Sequence, residues 1–236
     1  MASAPVPEAA TRSADVATVA PPTAAECVRL AQGFLLLLLG LGVTFLLATR
    51  AVRAAALDAF LMPAYVPALA VIYAGLRQTR RRAFSDPASP ATRRSLAPVV
   101  ALLYLAPFVV WWERAPHHAF FLVHMALLAL AGAWLLFEVN RIGARSAQWL
   151  GAPVYALEAR LCGLVAVASA VPIPWLLGYA GWMARRNDTS LYGECFRLLY
   201  HLPRGWIAVA LLPISLTLAS CWRLRGAALA ALAKRS

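Results

Sequence analysis

Apolar residues in this chain fall in long, nearly unbroken runs, and arginine-marked breaks separate one run from the next. Such runs lack the alternation or one-sided helical period of elements that are half buried in a soluble core. A helix needs roughly 20 apolar residues to cross a hydrocarbon layer about 30 Å thick at about 1.5 Å per residue. Runs of about that length occupy residues 30–48, 59–76, 96–112, 119–139, 161–182 and 206–222. The pattern predicts an all-α fold: a polytopic transmembrane helix bundle of about six spans.

The segments outside the runs set the expected domain layout. Residues 1–28 are rich in Ala, Pro, Ser and Thr and too poor in large apolar side chains to bury a core, which predicts a disordered cytoplasmic tail. The first run is too long, and its polar lead too mixed in charge, for a cleaved signal peptide. Pro87 and Pro90 mark a polar loop between the second and third spans, and Glu113 to His118 a short turn before the fourth. The stretch 140–160 is mixed in character and reads as partly helical at the interface. Residues 223–236 read as a basic cytoplasmic tail. No internal repeat stands out.

Composition supports the membrane class: 62% of the 236 residues are hydrophobic, 14% are charged, and the mean hydropathy is +0.68. Soluble domains average nearer half apolar and a quarter charged. The net charge of +12 does not imply nucleic acid, because Lys and Arg sit at the joints between runs and no folded basic domain carries them. It reads instead as a topology signal. With both termini inside, 15 of the 22 basic residues are cytoplasmic and 7 are not, as segments flanked by Lys and Arg prefer. Arg185, Arg186, Arg197 and Arg204 run against that bias. Trp111, Trp112, Trp182, Trp206 and Trp222 fall near predicted span ends, where amphipathic rings favour the headgroup layer. Cys27, Cys162, Cys195 and Cys221 have no metal-site or disulfide spacing. The expected location is a cell (inner) membrane, with the lipid bilayer and other membrane subunits as partners.

Three features are candidates for chemistry. Pro67, Pro172, Pro174 and Pro213 fall within spans, where each removes a backbone donor and favours a helix break. Broken helices near the midplane are where many transporters bind substrate, although proline kinks without ligand are common. The best candidate interruption is Val171-Pro172-Ile173-Pro174-Trp175. Second, His117, His118, His124 and His201 all come out on the extracytoplasmic side, and His124 lies inside a span. Imidazoles there could hold haem or copper, although none shows HExxH or HxxxH spacing. Third, Leu191, Cys195, Leu198, Leu199 and Leu202 recur at helical spacing opposite Glu194, Arg197 and His201. That pattern predicts an amphipathic interfacial helix, with Glu194 and Arg197 able to pair.

Phe120-Phe121-Leu122-Val123-His124-Met125 opens a span that follows a basic loop, another span and a short turn. Over about 45 residues this resembles the copper-delivery assembly factors of haem-copper oxidases. The resemblance implies copper handling near His124, but Leu128 stands where many such proteins would offer a second histidine.

Glu138, with Arg141 three residues on, predicts a snorkelling pair. Gly33, Gly40 and Gly42, and Ala129 with Ala133, could let helices approach closely. Signatures of serine hydrolases, P-loop enzymes and zincins are absent, and the span centres hold almost no ionisable groups for proton coupling. The expected function is therefore a non-catalytic subunit or accessory factor of a larger membrane complex. The alternatives are a permease or channel component working past the prolines, and a haem- or copper-binding redox or oxidase-assembly protein.

Overall fold

The computed structural model describes residues 22–49, 61–83, 90–114, 118–201 and 205–234. Every regular element among them is α-helical: α1 (Ala24–Thr49), α2 (Leu61–Ala83), α3 (Pro90–Arg114), α4 (Ala119–Trp149), α5 (Pro153–Ala170), α6 (Pro172–Asn187), α7 (Leu191–His201) and α8 (Gly205–Ala233). Among the described residues, three stretches are long and apolar enough to cross a membrane: Ala24–Leu47, Ala119–Trp149 and Pro153–Asn187, the last made of α5 and α6 together.

Helix α1 starts earlier than its apolar run. The Thr23 amide donates to Glu26 Oε2 at 2.7 Å, half of a capping box, which satisfies a donor the helix leaves open. Cys27 and Leu30 are buried in this first turn and a half. Residues 22–28 are thus ordered where the composition predicted a loose tail, while residues 1–21 lie outside the described residues.

Helices α1 and α2 pack through absent side chains. A Cβ on Gly33 would lie 2.6 Å from Thr79 Cγ2, one on Gly40 2.5 Å from Ile72 Cγ1, and one on Gly75 2.9 Å from Leu37 Cγ. Gly33 and Gly40 are seven residues apart and so share one face. Gly42 meets nothing within 4 Å. Ala129 is exposed and Ala133 half-buried, so α4 turns Ala131 and Leu135 to the core instead.

Helix α4 ends in a Schellman turn. Gly151 adopts φ +71°, the Gly151 amide donates to the Gln148 carbonyl at 3.1 Å, and the Ala152 amide donates to the Ala147 carbonyl at 2.9 Å. Pro153 follows at the start of α5, where its missing N–H costs nothing. The stretch expected to be only partly helical is therefore a tight hairpin between two helices, and the fifth helix begins at Pro153 rather than near Leu161. At Val171 the hydrogen-bond ladder is interrupted because Pro172 and Pro174 have no amide hydrogen to give. The backbone there keeps helical angles, φ −57° and ψ −42°. Helix α8 also outlasts its run, continuing to Ala233 with Leu224 and Ala228 buried, so most of the expected C-terminal tail belongs to the bundle.

Contacts link α1, α2, α3, α4, α5 and α8 into a closed circuit, with α4 touching α8 and α2 across the middle. Phe34, Leu37, Ile72, Leu76, Leu135, Val139, Ile142 and Leu224 fill the centre. Helix α6 extends from α5 to one side and carries α7. Replacing Gly40 with Val should cost about 2 kcal/mol of unfolding free energy in detergent by forcing α1 from α2, whereas Gly42→Val should be near neutral. Equal effects of the two would contradict this packing.

Candidate functional site

The histidines divide between roles. His118 precedes α4 with extended backbone, and its Nδ1 accepts the Phe120 amide at 3.3 Å. His124 Nδ1 lies 2.7 Å from the Phe120 carbonyl oxygen. A carbonyl can only accept, so this Nδ1 carries the proton of the contact, whereas the Nδ1 of His118 is an acceptor. The His124 ring lies between Phe108 at 4.0 Å and Phe120 at 4.2 Å. His201 ends α7 and is exposed, and His117 lies outside the described residues. Among the described residues, no group of three or more His, Cys, Asp or Glu side chains is close enough to hold a metal ion. His118 thus takes part in capping α4 and His124 in aromatic packing.

The prolines lie in different surroundings. Helices α2 and α8 run through Pro67 and Pro213. Pro67, Pro172 and Pro174 are exposed on the outside of the bundle, whereas Pro213 is buried. Its carbonyl accepts from the Thr217 hydroxyl at 2.8 Å, and that hydroxyl accepts from Asn140 Nδ2 at 2.7 Å. Asn140 also donates to the Leu136 carbonyl at 2.9 Å. Both Asn140 and Thr217 are essentially fully buried, so a polar clamp joins α4 to α8 inside the apolar core.

Charge collects at the far end of α4. Arg141 pairs with Glu138 at 2.7 Å, as the spacing predicted, but Glu138 is only 3% exposed rather than snorkelling. Buried Arg80 of α2 lies within electrostatic reach of both. Arg145 follows one turn on, and Arg160 of α5 lines a groove between α4 and α5 together with Arg141 and Arg145. A carboxylate in this setting is held by the guanidiniums around it, because burial strips away its water. Composition offered no signal for it, since Arg80 and Glu138 are 58 residues apart in the chain.

Helix α7 is amphipathic, but its faces differ from the expected ones. Cys195 and Leu198 do face inward, where they meet Leu122 and Met125 of α4 and Ile173 and Leu177 of α6 around an apolar pocket of about 270 Å³. Glu194 turns inward with them. It accepts from the Thr189 hydroxyl at 2.8 Å and from Asn187 Nδ2 at 3.3 Å, and pairs with Arg197 at 2.9 Å. These contacts close a turn in which Asp188 takes φ 50°, a left-handed conformation that Asp tolerates better than most residues. The Thr189 hydroxyl first, then Asn187 and Arg197, hold the Glu194 carboxyl below the usual glutamate range. Outward, Tyr192, Phe196 and Tyr200 form a ladder with ring centroids 6.2 and 6.5 Å apart. A second ladder, Trp175, Tyr179 and Trp182, runs along α6 at 5.8 and 5.9 Å, and Arg186 lies over Trp182. An aromatic at every fourth residue from Tyr192 was the sequence signal for the outer face; the leucines drew attention to the inner one.

Two outcomes test these assignments. Glu138→Leu should destabilise the bundle by about 3 kcal/mol, measured by denaturant unfolding in detergent, because it leaves Arg80 and Arg141 facing each other. Since the Glu194 carboxyl titrates lower folded than unfolded, its stabilisation is complete above the ordinary range of about pH 4.3 and lost as pH falls through the lowered value. Melting temperature should therefore fall below about pH 4 more steeply in the wild type than in Glu194→Gln; parallel curves would contradict the role of the turn. In comparisons with known proteins, no family model, curated protein or solved structure matches this chain, so its function must be argued from these residues alone.

Proposed function

We propose that this chain is a non-catalytic, multi-pass subunit or accessory factor of a larger complex in a cell (inner) membrane, with about six spans and both termini cytoplasmic. The observation that carries the reading is the second apolar face of α7. Its inner face is already occupied by α4 and α6, which is all that a cap over the bundle needs. Its outer face still presents Phe196 at 58% and Tyr200 at 78% exposure, stacked with Tyr192 in one stripe beside exposed Arg197. Tyr, Phe and Arg are the side chains that anchor protein interfaces, since they bury much area for little lost rotamer freedom. The partner is a second membrane polypeptide that covers this stripe.

The permease reading has less support, because Pro67 and Pro172 open to the outside while Pro213 is engaged by Thr217. The haem or copper reading would need ligands beyond His124. Photo-crosslinking from position 196 or 200 in native membranes, followed by mild solubilisation and mass spectrometry, tests the proposal. A crosslink to one defined polypeptide is expected, and its yield should fall in a Tyr192→Ser variant. Crosslinks to lipid alone, with the chain recovered as a lone monomer, would remove the subunit reading.

A further inference from the structure

The groove between α4 and α5 has a volume of about 380 Å³ and changes character along its length. The Schellman turn at Gly151 marks one end. At about 1.5 Å per residue, Gln148 and Arg145 lie within about 6 Å of the end of α4, Arg160 about 10 Å along α5, and Arg141 about 12 Å back along α4. Beyond them, about 15 to 18 Å deep, the walls are Phe137, Gly163 and Leu164. The groove is thus cationic near its mouth and apolar toward the middle of the helices.

Its depth fits a bilayer. Helix α4 has 31 residues and is about 46 Å long, roughly 16 Å more than the hydrocarbon layer. With the excess at its charged C-terminal end, Arg141, Arg145 and Gln148 fall at headgroup level. Arg80, Arg141, Arg145 and Arg160 gather at this end of α4, and the carboxylate within electrostatic reach of Arg80 and Arg145 is Glu138. The groove lining itself carries Arg141, Arg145 and Arg160 and no acidic side chain, so its mouth is positive. Guanidiniums bind phosphate oxygens bidentately, and basic pockets between membrane helices recognise anionic headgroups.

We propose that this groove seats one anionic phospholipid, its phosphate held by Arg145 and Arg160 with Gln148 at the rim, and an acyl chain lying along Phe137, Gly163 and Leu164. A soluble phosphate would satisfy the arginines but leave the deeper wall uncovered. The proposal rests on the chain being a membrane protein and does not depend on a partner subunit.

Native mass spectrometry of the full chain in mild detergent tests it, with phosphatidylglycerol and phosphatidylcholine of matched acyl chains as probes. The wild type should retain phosphatidylglycerol in preference to phosphatidylcholine. The double variant Arg145→Gln with Arg160→Gln should lower that retention roughly tenfold, as expected for loss of two charge-assisted contacts. Should the double variant fail to fold, Leu164→Glu, at an exposed position on the apolar wall, should lower retention by repelling the lipid phosphate and breaking the acyl contact. Retention unchanged by these substitutions, equal retention of both lipids, or displacement by millimolar inorganic phosphate would each overturn the proposal. Lipid retained by a chain that has no partner polypeptide would uphold this site and remove the subunit reading, so the two fail separately.

Discussion

Inside an apolar bundle, an amide that finds a partner on another helix fixes how those helices slide and rotate, because no water competes for it. Asn140 on α4 and Thr217 on α8 make that contact at 2.7 Å, and Thr217 passes its own hydrogen to the Pro213 carbonyl. An interhelical bond of this kind contributes only about 0.6 to 1.7 kcal/mol. Its effect on register is larger than its effect on stability. Once α4 is set against α8, Glu138 and Arg141 take the angle at which they meet Arg80 of α2, and Gly143 sits where a Cβ would strike Leu224. Asn140 Oδ1 has no hydrogen-bond partner among the described residues, so the clamp orients without being fully satisfied.

Register also determines how α4 divides its length. From Ala119 to Leu136 its buried positions are Ala131 and Leu135, both apolar; from Glu138 to Ser146 the polar Glu138, Asn140 and Ser146 are buried among apolar residues. A helix of about 46 Å can hold both kinds of environment, since only about 30 Å of it needs to be apolar. The carboxylate and arginines then share the C-terminal part of α4, where their burial is tolerable because they neutralise one another. The α4–α5 hairpin doubles this arrangement by bringing Arg160 back to the same level.

The opposite side of the molecule follows a different logic. Helix α6 leaves the circuit of six helices and touches α4 and α5 only lightly, so α7 is its main neighbour. Polar contacts from Glu194 to Thr189, Asn187 and Arg197 lock the α6–α7 turn. That turn fixes which way α7 faces, with Cys195 and Leu198 inward and Phe196 and Tyr200 outward.

Much of this was legible along the chain. The apolar runs, the pairing of Glu138 with Arg141 and of Glu194 with Arg197, the closeness of Gly33 and Gly40 to a neighbouring helix, and the interruption at Val171 and Pro172 all follow from short-range rules. Thr23 with Glu26, and Gly151 before Pro153, were equally local signals for the true starts of α1 and α5, hidden because apolar run length was the measure of a helix. Helices end where caps and hydrogen bonds end, while an apolar run ends where lipid-compatible side chains do, and the two coincide only by chance. Sequence by itself therefore determined that the chain is helical, greasy and punctuated by charge. Only tertiary structure decided that Arg80 meets Glu138, that Asn140 meets Thr217, that Gly75 lies against Leu37, and that α7 turns Glu194 inward and its aromatic ladder outward. Those outcomes depend on the rotation and depth of one helix against another, and no single segment contains that information.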